Sequence, residues 1–148
     1  MKTYFLAFIA IFTLLTSCSE DNDTQTIIPT PTPAGTGFSW RENDPEGAIN
    51  TAPTATFSTQ YKTLIVKDAA GATLFEVNLS GTAAATYAIG TDNAVSYLGT
   101  NPMFVADSGE VIVTANADDK ISGTFKAFRS GTGVTRIYAT FTDIPVVP

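Results

Sequence analysis

The sequence predicts an all-β domain, an antiparallel β-sandwich or partly open β-barrel meander of about 8–10 strands. Three observations predict it. From residue 36 onward, threonine and β-branched residues abound and charged residues are sparse. No stretch repeats apolar residues at i, i+3, i+4 and i+7, the pattern of an amphipathic helix. Apolar and polar residues alternate instead, in short runs bounded by Gly, Asn, Asp and Pro.

That alternation places strands at 36–42, 54–59, 62–68, 73–79, 84–89, 94–98, 102–106, 110–116, 120–129 and 133–143. In the first, Phe38 and Trp40 share a face. A long polar loop then runs from Arg41 through Glu42 and Asn43 to Pro53. In the run at 73–79, Phe75, Val77 and Leu79 alternate with Leu74, Glu76 and Asn78, which gives one buried and one wetter face. Asp68-Ala-Ala-Gly71 reads as a hairpin loop, with glycine where a positive φ is needed. Asn116-Ala-Asp118-Asp119 and Ser130-Gly131-Thr-Gly133 join the last strands in the same way. Residues 37–148 therefore form one domain, long enough for a single core.

The chain begins differently. Lys2 precedes an apolar run, Tyr4 to Leu15, interrupted only by Thr13. A membrane-spanning helix needs about 20 apolar residues, so this segment reads as the core of a signal peptide. Leu15-Thr16-Ser17-Cys18 resembles the bacterial lipobox: a branched apolar residue, two small residues and the acceptor cysteine. The resemblance implies that residues 1–17 are removed and that Cys18 carries lipid. One acyl chain binds a membrane with a constant of only about 10⁴ M⁻¹, so a stable anchor needs the two or three chains of a mature lipoprotein. Residues 18–36 follow as the acylated cysteine and a disordered tether, polar at first and then rich in Thr and Pro.

Composition excludes several chemistries. There is no histidine, hence no Ser-His or Cys-His pair and no histidine-based zinc site. The single cysteine allows neither an internal disulfide nor a thiolate metal cluster. Loss of Lys2 with the signal peptide leaves seven of the eight basic residues against fourteen acidic ones, a net charge near −7. Such a chain is no nucleic-acid binder and no polybasic reader of anionic headgroups. It meets the membrane through its lipid.

Further resemblances concern location and architecture. Ser19-Glu20-Asp21-Asn22-Asp23, directly after the lipidated cysteine, resembles the export signal of surface lipoproteins in the Bacteroidota. It points to the outer membrane and the cell exterior; the alternative is a solvated linker facing the periplasm. Ile121-Ser-Gly-Thr-Phe125 with Arg136 to Pro145, the stretch Gly81-Thr-Ala-Ala-Ala-Thr-Tyr87-Ala-Ile89, and Phe38-Ser-Trp40 resemble small uncharacterised lipoprotein domains of that phylum. The second motif is three residues longer here. These motifs are structural, so the resemblance implies architecture and location and no chemistry.

The acidic residues that a glycosidase pair would need are Glu42, Asp44, Glu46, Glu76, Glu110, Asp118 and Asp119. Glu76 falls on a wet strand face and the two aspartates in a turn, so structural roles explain them better. No calcium loop, phosphate-cradling loop or Ser-x-x-Lys motif stands in the mature chain. No catalytic residue, cofactor or metal is expected. Trp40, Arg41 and Tyr61 are instead the residues expected to meet a ligand, with Trp40 at the start of a polar loop on a rigid scaffold. The expected protein is thus a lipid-anchored, non-catalytic binding or accessory module for a glycan or protein. Two alternatives are a structural component of the envelope and a lipocalin-like carrier with an empty apolar interior.

Overall fold

The computed structural model describes residues 37–148; the expected signal peptide, Cys18 and the tether lie outside the described residues. The described chain is all-β, one curled mixed sheet that forms a half-barrel. Its strands are β1 (Gly37–Glu42), β2 (Asn50–Ala52), β3 (Thr54–Ser58), β4 (Thr63–Lys67), β5 (Thr73–Asn78) and β6 (Ala85–Ala88). They continue as β7 (Ala94–Tyr97), β8 (Phe104–Val105), β9 (Ser108–Ala117), β10 (Lys120–Phe128) and β11 (Arg136–Val147). The order across the sheet is β6-β9-β10-β11-β3-β4-β5-β7-β8, with β1 also on β11 and β2 on β1.

Period-two alternation is the local cause. In β10 the pattern is strict: Ile121, Gly123, Phe125 and Ala127 point inward and are buried, while their neighbours are partly exposed. The expected turns form. Gly71 has φ 85°, and Asp68 Oδ1 accepts the amides of Ala70 and Ala72 at 2.9 Å. Asp118 and Asp119 both have positive φ, as a tight two-residue hairpin demands.

The sheet bends along one line. On β9 and on β11 the ladder slips beside Ser122-Gly123. Asp143, with φ 51°, is the extra residue on β11, and the Ser122 hydroxyl accepts its amide at 2.8 Å. Bulges of this kind bend a strand and increase its twist. A Cβ on Gly123 would run into the Ile112 carbonyl and the Phe141 ring, so glycine is what lets Phe141 fold over the bend. Beyond the bend β11 reaches the other half, where Val146 and Val147 pair with Phe57 and Ser58 of β3 in parallel.

Three details depart from the expected meander. The β11–β3 pair is parallel, because β11 crosses from one half to the other with its direction unchanged. β2 lies within the stretch expected to be a polar loop; three residues before Pro53 are too few to show a period. The last strand runs to Val147 instead of ending at 143, since the bulge at Asp143 resets the ladder and lets Pro145 join it.

Aromatic rings fill the space between the two halves. Phe38, Trp40 and Phe125 come from one half, Phe75 and Tyr97 from the other, and all are buried. Phe75 lies flat on Tyr97 at 4.4 Å and tilts against Phe38 at 5.0 Å and Trp40 at 5.2 Å. These separations match the preferred geometry of aromatic pairs. The empty interior that a lipocalin-like carrier requires is here occupied by rings.

Candidate functional site

The polar loop after Trp40 works as a fastener. Glu42 Oε1 accepts the Tyr97 hydroxyl at 2.9 Å and the Trp40 indole N–H at 3.1 Å, which ties β1 to β7 across the interior. Burial, reinforced by the Glu42 hydrogen bond and charge, pushes the Tyr97 phenol up to about 12. Asn43, with φ 61°, accepts the amides of Thr135 and Arg136 on Oδ1 and donates from Nδ2 to the Gly133 carbonyl. The Arg41 Nε donates to the Gly47 carbonyl at 3.2 Å and so helps close the loop.

These contacts reassign two of the three expected ligand residues. Trp40 is 6% exposed and its one polar atom is satisfied internally, so it is a core residue and no stacking platform. Sharing a face with Phe38 suits a core residue as well as a ligand platform, and the packing decides for the core. Arg41 lies on the opposite face, half-buried and engaged with the loop.

Tyr61 is different. It sits in the β3–β4 turn with 72% of its surface exposed. Its amide donates to the Ser58 hydroxyl, and Thr63 Oγ1 lies 2.9 Å from its carbonyl, so the backbone beneath the ring is held. Beside it an open depression of about 480 Å³ runs over the outer face of β3, β4 and β5. Thr56, Ser58, Thr63, Ile65, Glu76 and Asn78 line it. The polar groups there are prealigned: Asn78 donates to Glu76 Oε1 at 3.0 Å and presents Oδ1 to Thr63 Oγ1 at 2.7 Å. The arrangement places a free aromatic face beside a carboxylate, an amide and hydroxyls.

A second depression, about 570 Å³, lies at the far end of the other half, over β10, β11 and the loop between them. Phe128, Arg129, Ser130, Arg136 and Tyr138 are among its lining residues. None of these was expected from the sequence as a ligand residue. For Arg136 and Tyr138 the signal was the opposite parity to Ile137, Ala139 and Phe141, which becomes a surface only once the register is known.

The stretch from Gly81 to Ile89 and the loop that follows it have structural uses. The Tyr87 hydroxyl donates to the Ala83 carbonyl at 2.8 Å, and a Cβ on Gly81 would sit 3.0 Å from that hydroxyl. Asn93, buried, accepts the Ser80 amide and donates to the Ala88 carbonyl, holding two loops together. Among the described residues no three Cys, Asp or Glu side chains gather to hold a metal ion. No family model matches the chain, and no curated protein or solved structure matches it either.

Proposed function

We propose that this chain is a lipid-anchored protein of the outer membrane, presented at the cell surface, whose β domain is a non-catalytic carbohydrate-binding module. The observation that carries the binding assignment is the exposed ring of Tyr61 over the groove of Thr56, Ser58, Glu76 and Asn78. An aromatic face covers the apolar side of a sugar ring, while prealigned amide, carboxylate and hydroxyl groups read its hydroxyls at little entropic cost. The lipobox at Leu15–Cys18 and the acidic start of the tether support the location. The resemblance to small Bacteroidota lipoprotein domains agrees with it.

A glycan array probed with the mature protein tests the binding assignment. Binding that disappears in Tyr61→Ala, with unchanged thermal unfolding, is the expected result. Binding indifferent to Tyr61 would reject this groove. The anchor is tested separately: Cys18→Ala should yield an uncleaved or mislocalised precursor, and normal membrane fractionation would remove the lipid from the account.

A role in envelope assembly is the second reading, favoured by one observation. Leu98, Met103 and Val105 are 43%, 50% and 45% exposed and gather on the β7–β8 hairpin at the edge of the sheet. An apolar edge of this kind suits a protein partner. Crosslinking in intact cells from a photoreactive group at position 103 should then capture one discrete partner.

A further inference from the structure

The outer face of β10 and β11 concentrates positive charge on an acidic chain. Of the seven basic residues that follow the signal peptide, Lys120, Lys126, Arg129 and Arg136 belong to these strands and their loop, Lys120 at the far end of β10, and Arg41 adjoins them on β1. Register aligns them: Lys126 stands opposite Tyr138, and Tyr138 opposite Arg41. With strands about 4.8 Å apart, Arg41 and Lys126 flank Tyr138 at roughly 10 Å from each other. Arg136 lies two residues from Tyr138 on the same face and is exposed. Two carboxylates stand close by, Glu110 opposite Lys126 and Asp107, which accepts the Ser130 amide at 2.7 Å.

The second depression opens among these residues. Phe128 and Tyr138 pack edge to face at 6.2 Å and form its aromatic side. Ser108, Ser130 and Thr135 supply hydroxyls. Arg129 is fixed: its two terminal nitrogens donate to the Met103 and Thr132 carbonyls, and its Nε is buried without a partner among the described residues. Arg129, held in place, and Arg136, whose side chain has no partner among the described residues, thus border a hydroxyl-rich, aromatic-sided hollow.

We propose that this face is a second binding site, separate from the Tyr61 groove, and that its ligand is a carboxylated polysaccharide. Arginine pairs with carboxylates through two parallel hydrogen bonds, and the serine and threonine hydroxyls match a ligand whose own hydroxyls donate and accept. An acidic peptide fits less well. β10 and β11 are paired on both sides, which leaves no strand edge for a peptide to extend. Glu110 and Asp107 repel a densely charged polyphosphate but tolerate a chain with one carboxylate per sugar ring.

The test is calorimetric titration of the mature, lipid-bearing protein in neutral detergent with oligogalacturonate and with its methyl ester. The free acid should bind about tenfold more tightly than the uncharged ester, and more weakly as salt screens the charges. Arg136→Gln and Tyr138→Ala should each weaken binding of the acid by about tenfold, whereas Lys62→Gln on the other half should not change it. Equal binding of acid and ester overturns the proposal, as does full affinity in both variants or no binding of the acid. Acid binding that is lost in Tyr61→Ala and unchanged in Arg136→Gln and Tyr138→Ala would uphold the first groove while removing this one.

Discussion

Trp40 and Arg41 are neighbours in sequence and opposites in fate. One is packed among Phe38, Phe75 and Tyr97; the other lies on the outer surface of the same strand. The contrast extends across β1, β10 and β11. Their inner face is Phe38, Trp40, Phe125, Ile137 and Phe141, all buried. Their outer face is Ser39, Arg41, Lys126, Arg136 and Tyr138. Large side chains on the inner face are fixed by complementary shape, so each is costly to change. Apart from Arg41, which closes its own loop, those on the outer face owe little to stability, which leaves them available for recognition.

The sharpest way to break the contrast is Phe75→Ala, at the centre of the ring cluster. A loss of about 3–5 kcal/mol in denaturant unfolding is expected, because the cavity would be lined by rings from both halves. A smaller effect is expected at the rim. Asn43→Ala removes the acceptor of the Thr135 and Arg136 amides and places alanine at φ 61°, so a loss of about 1–2 kcal/mol should appear in the same assay.

The Tyr97 phenol offers a test by pH. Its folded-state pKa lies above the ordinary value of 10.0, at about 12. The folded state therefore holds that proton more tightly than the unfolded chain does. Its contribution is complete below pH 10.0 and is lost as pH rises toward about 12. Unfolding midpoints measured across that window should fall less steeply in Tyr97→Phe than in the parent. Phenolate absorbance should show one tyrosine titrating late, and earlier in Glu42→Gln. The smallest effect belongs to the outer face, where Thr140→Ala should shift unfolding by about 0.5 kcal/mol or less. A larger loss there would mean that the outer face is also structural.

Much of the fold was legible because alternation with period two is a local signal. It placed Phe75, Val77 and Leu79 on a buried face, put Phe38 and Trp40 on a shared one, and found nearly every strand. It failed where locality failed. Asn50–Ala52 is too short to show a period, and the last expected run stops at 143 because the bulge at Asp143 depends on Ser122, some twenty positions away. The site was less legible. Tyr61 could be named as an aromatic near a turn, and so could Trp40, but only the packing separates the exposed ring from the buried one. Tyr138 could be seen only as a strand aromatic, and its meeting with Arg136 and Phe128 was not legible, since it depends on the β10–β11 register.

The sequence by itself determined an all-β chain, its turns and which side chains share a face, because backbone geometry and side-chain parity act within a few residues. The same local logic marks Leu15–Cys18 as an expected lipid attachment. The tertiary structure alone decided that the sheet curls about Ser122-Gly123, that β11 joins β3 in parallel, and which aromatics remain outside. Those outcomes depend on contacts between residues far apart in the chain. Their free energy exists only when both partners are already in place.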